Sequence, residues 1–247
     1  MYSTVLALLF SVIIGCSSDK PVGTTQAEVL YKEAKSLVDD GRYLLATERL
    51  NLLKSKYPYS YYATHAELLL ADILFNQQSY VESAAAYILF KDFHPKHQRM
   101  DYVYFKIAES YFFQLPDTFD RDLSAGKEAI KYYQDLLFLY PNSEYTKNAQ
   151  DKITQTESMI EKKERYIADF YYKTEVFDSA RYHYLTILED FKTKKLREHS
   201  MSRIVSSSYY LKEKDKCLEY YKRYINFISD ENVKQKTQSY FSRCENL

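Results

Sequence analysis

The sequence predicts an all-α chain. The expected architecture is a right-handed superhelix of about five helix pairs, with one long helix joining the first three pairs to the last two. Two observations carry this prediction. Only four glycines and five prolines occur in 247 residues, whereas the turns of sandwiches and barrels and the phosphate loops of nucleotide folds depend on such residues. A pattern of small and aromatic residues also returns about every 37 positions, the mark of stacked repeats. Lys+Arg and Asp+Glu are 34 each. Zero net charge argues against nucleic acid, whose binding rests on excess positive charge. A hydrophobic content of 46% is too high for a disordered chain, and 27 tyrosines with no tryptophan make the body tyrosine-rich.

The elements follow in chain order. Residues 1–15 carry no charge, and Val5 to Ile14 form an apolar run. That run is well short of the roughly 20 residues of a membrane-spanning helix and fits the core of a signal peptide. It ends in Ile13-Ile14-Gly15-Cys16, which resembles the cleavage signal of bacterial lipoproteins. The resemblance implies that Cys16 becomes the N-terminus and carries covalent acyl chains, with no other cofactor. Ser17 in place of Asp points to the outer membrane. Three acyl chains exceed the two signals that stable anchoring needs. Residues 16–25 are polar, with Pro21 and Gly23, and read as a lipidated tether.

Residues 26–142 hold the first three repeats. Ala34, Gly41-Arg42-Tyr43, Ala46, Leu50, Leu53 and Tyr57-Pro58 return as Ala71, Gln78-Ser79-Tyr80, Ser83, Tyr87, Phe90 and His94-Pro95. A third copy has Ala108, then Ala129, Tyr133, Leu136 and Tyr140-Pro141, with extra length from Pro116 to Ser124. Residues 143–247 hold the rest. The fourth copy is Ala168, Phe177, Ala180, Tyr184, Ile187 and Phe191, with Lys192 where the proline would stand. A weaker fifth has Val205, Cys217, Tyr221 and Tyr224, and a cap helix ends the chain. The spacing resembles the tetratricopeptide repeat, of period about 34. Small residues let paired helices approach, and proline stops the second helix. One pair cannot bury its apolar face alone, so the pairs stack.

Ser143 to Glu175 contains neither Gly nor Pro. One helix of about 30 residues, roughly 45 Å long, is expected there with Ser143 as N-cap. Its charge run Glu161-Lys162-Lys163-Glu164-Arg165 reads as a solvated face. Helices near 214–228 and 232–244, if antiparallel, let Cys217 and Cys244 face each other. An exported protein permits a disulfide there; two buried small hydrophobes satisfy the sequence as well. The His and Cys residues show no metal-ligand spacing.

Two stretches exceed the generic repeat. Tyr57-Pro58-x-Ser60-x-Tyr62-x3-Ala66 recurs as Tyr140-Pro141-x-Ser143-x-Tyr145-x3-Ala149, with Pro95-x-His97-x3-Asp101-Tyr102-Val103 and Asp120-Arg121-Asp122 between them. With the lipoprotein signal, this order resembles the BamD family of outer-membrane protein assembly lipoproteins. The resemblance implies a non-enzymatic lipoprotein on the periplasmic face of the outer membrane. Its C-terminal repeats would bind a POTRA domain of the barrel subunit BamA, its N-terminal repeats would engage unfolded outer-membrane proteins, and other assembly lipoproteins would join it. Another tetratricopeptide lipoprotein, scaffolding envelope or cell-wall assembly, is the alternative.

The repeat register places Tyr31, Lys35 and Val38, then Leu68, Asp72 and Phe75, then Tyr102, Phe105, Glu109 and Phe112 along a concave groove. Its aromatic and apolar mix suits an extended segment ending in an aromatic residue, although most rings in such a chain pack helix on helix. Lys192, Lys194, Lys195 and Arg197 form a basic turn, which reads either as a partner interface, with Arg197 pairing a carboxylate, or as a solvated loop. The Asp-rich stretch from Pro116 to Ser124 is a docking loop or a solvated connection. No catalytic set is legible. Ser206-Ser207-Ser208 lacks a nearby His and a glycine elbow, Asp39-Asp40 and Asp120-Asp122 sit at helix ends or loops, and no phosphate loop is present.

Overall fold

The computed structural model describes residues 25–247. The signal peptide, Cys16 and the tether up to Thr24 lie outside the described residues. Among those residues the chain is all-α, built from tetratricopeptide-like helix pairs. In order these are α1 (Gln26–Asp39), α2 (Tyr43–Lys56), α3 (Tyr61–Asn76), α4 (Tyr80–Phe93), α5 (Met100–Phe112), α6 (Ser124–Leu139), α7 (Thr146–Lys173), α8 (Phe177–Asp190), α9 (Lys194–Tyr210), α10 (Lys214–Tyr224) and α11 (Glu231–Glu245). A 3-10 turn, Ile225–Phe227, follows α10.

The described residues divide into two compact units, one up to Ile73 and the other Leu74–Leu247. In the first, the Thr25 hydroxyl accepts from the Glu28 N–H and caps α1. Ala34 and Ala46 are fully buried and let α1 and α2 close on one another. Leu50, Leu53, Ala63, Ala66, Leu69 and Ile73 complete that core.

In the second unit the repeat positions read from the sequence are again the buried ones. Ala108, Ala129, Tyr133 and Leu136 form one core with Phe105, Ala149 and Ile153. Ala168, Ala180, Tyr184 and Ile187 form another with Leu196, Met201 and Ile204. Helix α7 contributes Ala149 and Ile153 to the first core and Ala168 to the second. This helix, which falls within the 143–247 group of the sequence reading, lies inside the second unit, with each of its halves packed into a different core. It spans 28 residues, about 42 Å at 1.5 Å per residue. Its N-cap is Tyr145 and not the expected Ser143, whose hydroxyl donates to Asp101 at 2.7 Å and accepts from the Tyr145 N–H.

A periodic turn escaped the sequence reading. Gly41, Gln78, Glu175 and Lys212 all have positive φ, between 59° and 73°. At each one, the following N–H bonds back to a carbonyl five residues earlier, as in Arg42 to Leu37 and Glu213 to Ser208. This is the Schellman stop of a helix. Only the first copy uses glycine; the others hold L-residues in a left-handed conformation that costs roughly 1 kcal/mol.

At Tyr57, His94 and Tyr140 the second helices end in front of proline, each residue's N–H bonding four residues back. At Phe191 that proline is absent and Arg197 takes over. Its guanidinium donates to the carbonyls of Leu188 and Phe191, the latter at 2.8 Å. Farther on, Cys217 and Cys244 are joined by a disulfide, with Cα atoms 6.3 Å apart, in a small core with Val205. Of the two readings left open by the sequence, the structure takes the covalent one.

Candidate functional site

The expected groove residues separate when placed in the structure. In the first unit Tyr31 is half-buried beside the Tyr62 and His65 rings, Lys35 is exposed, and Asp72 is half-buried. Leu68 is buried and does not present a surface. In the second unit Phe105 is also a core residue, packed between the rings of Tyr133 and Tyr145. Helix α5 packs against α4, α6 and α7, which leaves only a narrow stripe of it for a ligand.

The remaining second-unit candidates do converge. Phe75 sits at the end of α3 and Phe112 at the end of α5, each just before a helix stop. Lys106 Nζ lies 3.6 Å above the centre of the Phe75 ring, 5.9 Å from that of Tyr102, and 3.3 Å from the Glu109 carboxylate. Lys152, from α7, lies 3.9 Å above Phe112 and 5.5 Å from Phe113. Phe113 in turn stacks on Tyr80 at 5.1 Å and meets Phe75 edge-on. The outcome is an aromatic surface studded with two ammonium groups, only one of which faces a carboxylate among the described residues. Such a surface can hold apolar and aromatic side chains and, beside Lys152, an anionic group. Sequence reasoning missed Lys106, Lys152, Phe113 and Tyr80. A signal for Lys106 existed, because it lies one helical turn after Tyr102 and one before Ser110 on the same helix.

At the basic turn Lys194 and Lys195 are exposed. Lys194 lies 3.9 Å from Glu198. Arg197 is half-buried, and its Nη1 donates to the carbonyls at the end of α8. Glu198 is buried and accepts from the Ser229 N–H at 3.1 Å, the Ser229 hydroxyl at 2.7 Å and the Asp230 N–H at 3.1 Å. Burial opposes its charge, but those hydrogen bonds prevail and hold its carboxyl below the usual range. This contact fixes the start of α11 against α9.

A second polar centre joins three helices. Asp169 of α7 accepts from the Tyr184 hydroxyl at 2.5 Å and from His199 Nε2 at 2.7 Å, with Arg165 Nε at 3.4 Å. Burial opposes ionisation of Asp169, yet the bonds from His199 and Tyr184 carry its carboxyl far below the ordinary range. Burial and the bond to Asp169 push the Tyr184 hydroxyl well above the usual tyrosine range. Among the described residues no group of three or more His, Cys, Asp or Glu side chains could hold a metal ion, and no helix is long and apolar enough to cross a membrane. Ser206, Ser207 and Ser208 are buried within α9. The Ser206 and Ser208 hydroxyls donate to carbonyls of their own helix.

The model of the YfiO family, described as "Outer membrane lipoprotein", matches residues 24–223. A Vibrio cholerae protein named outer membrane protein assembly factor BamD is 30% identical over 190 residues, 72% of this chain and 79% of that protein. The protein of that name from Neisseria gonorrhoeae is 27% identical, covering 75% of this chain and 74% of its own length. The one from Rickettsia prowazekii is 25% identical, covering 87% and 86%.

Proposed function

The chain belongs to the YfiO family of outer membrane lipoproteins, whose relatives are the assembly factors named BamD, and on that premise we propose that it is a non-enzymatic, lipid-anchored scaffold of the outer-membrane β-barrel assembly machinery. It acts by binding. Its C-terminal repeats hold the POTRA region of a BamA-like barrel protein, and its first helices receive unfolded outer-membrane proteins. The observation that carries the reading is the family match, which runs through nearly all the helix pairs.

The residues support each part of the role. For anchoring, the Val5–Ile14 run and Cys16 supply a lipoprotein signal on the periplasmic side of the outer membrane. For partner binding, Lys194 and Lys195 offer exposed positive charge at the α8–α9 turn, while Arg197 keeps that turn in place. For an incoming chain, Phe75, Tyr102 and Phe112 give flat apolar contact at low rotamer cost, and Lys152 gives a cation. Purification of the tagged chain from its own cells in mild detergent tests the reading. Co-purification of a barrel protein bearing POTRA domains is expected. Its absence, or recovery of cell-wall synthesis enzymes in its place, overturns it.

A further inference from the structure

The charge run at the centre of α7, Glu161-Lys162-Lys163-Glu164-Arg165, holds two carboxylates and three cations, and the helix sorts it onto different sides. Glu157, Glu161 and Glu164 line one hollow, together with Asp190. Lys162, Arg165 and Lys173 line another, together with Tyr166 and Phe170. Positions 162, 165, 166, 169, 170 and 173 follow helical spacing, so they form a single stripe.

The long insertion between α5 and α6 closes one side of this second hollow. Phe119 meets the Tyr166 ring edge-on at 5.9 Å, and Lys163 Nζ donates to the Arg121 carbonyl at 2.6 Å. The cavity so formed is about 420 Å³. Its floor is aromatic, with Tyr166 and Phe170 each about half exposed, at 54% and 52%. Its charge is positive. The single carboxylate of the lining, Asp169, is already held by Tyr184 and His199 from behind and by Arg165 beside it. Lys162 and Lys173 have no ion-pair partner among the described residues.

We propose that this stripe of α7, walled by the insertion, is a docking site for an acidic, extended segment of a partner protein. Charge complementarity selects the occupant: carboxylates pair with Lys162 and Lys173, and an apolar side chain lies on Tyr166 and Phe170. The two lysines are eleven residues apart on the helix, or about 16 Å. That distance is matched by roughly five residues of extended chain. The partner segment therefore carries acidic residues about that far apart, with an aromatic or aliphatic residue between them. The site is separate from the Phe75–Phe112 surface and from the Lys194–Lys195 turn, and it stands whether or not those surfaces bind their proposed partners.

Fluorescence anisotropy tests this with the full chain and a labelled probe of about ten residues, glutamates around a central phenylalanine, long enough to span both lysines. A second probe has every glutamate replaced by glutamine. The glutamate probe is expected to bind about tenfold more tightly than the glutamine probe, with affinity falling as salt rises. Lys162→Glu/Lys173→Glu should abolish that preference, Lys162→Gln/Lys173→Gln should reduce it, and Phe170→Ser should weaken both probes. Helical circular dichroism of the variants should match that of the parent, because both lysine side chains are exposed. Equal affinity for the two probes overturns the proposal, as does undiminished glutamate binding by the folded lysine variants. If the lysine variants lose binding to phosphatidylglycerol vesicles while their peptide binding is unchanged, the stripe is a membrane contact and the proposal fails.

Discussion

Tyr133 and Tyr184 occupy the same position in successive repeats, and their hydroxyls should respond oppositely to removal. Both side chains are fully buried. The Tyr184 hydroxyl donates to the ionised Asp169 at 2.5 Å, whereas that of Tyr133 has no hydrogen-bond partner among the described residues. A buried hydroxyl without a partner costs about 1–3 kcal/mol, and a bond to a charged group contributes about 1.5–3 kcal/mol. Phenylalanine keeps the ring and its packing. Tyr133→Phe is therefore expected to stabilise by about 1 kcal/mol and Tyr184→Phe to destabilise by about 2 kcal/mol. For a chain of this size the Tm should rise by about 2–4 °C in the first case and fall by about 4–8 °C in the second. Thermal melts followed by helical circular dichroism read both shifts. A cycle pairing each variant with Asp169→Asn should show coupling for Tyr184 and none for Tyr133. Shifts of the same sign, or equal coupling, would refute the assignment of the two hydroxyls.

Asp169 also sets a pH dependence. Its folded carboxyl lies below the unfolded value of about 3.9, so its contribution is present above that pH and is lost as pH falls through the folded value. Asp169→Asn should therefore cost stability at neutral pH, with the gap to the parent closing in acid; urea titrations that show a constant gap would contradict this. Reducing the Cys217–Cys244 bond, which links residues 27 apart, should cost about 3.5 kcal/mol by chain entropy, and an unchanged melt in reductant would argue that the bond adds nothing. Lys212→Gly and Glu175→Gly relieve left-handed φ at helix stops and should each raise stability by about 0.5–1 kcal/mol. A loss at both would show that the side chains there do more than occupy a turn. Arg197→Ala should destabilise by about 1–2 kcal/mol through the freed carbonyls of α8; an unshifted melt would return Arg197 to the role of a free surface cation.

Much of this fold is legible in the sequence because its periodicity is enforced by close packing. Ala34, Ala46, Ala108, Ala129, Ala168 and Ala180 are fully buried, and a larger side chain at any of them would push paired helices apart. The left-handed stops at Gln78, Glu175 and Lys212 were hidden for the opposite reason. No glycine marks them, and the repeat contacts outweigh the local strain. The candidate surfaces were less legible. Leu68 and Phe105 have the spacing of groove residues, yet both are buried, Phe105 between the Tyr133 and Tyr145 rings, and spacing alone does not show which face a helix buries. Lys106 lies one turn after Tyr102 on the same helix, a signal that spacing could have given, whereas Lys152 meets Phe112 from a different helix, so no local motif announces it. Arg197 looked like one more cation in a basic turn. The clue to its real task was the missing proline at Lys192, which left the end of α8 to be closed by another group.

Calorimetric titration of the full chain with the POTRA region of its own organism's BamA-like protein tests the scaffold reading most directly. Saturable binding is expected, lost in Lys194→Glu/Lys195→Glu while the helical signal is kept. Heat indistinguishable from dilution, with both proteins folded, would contradict it.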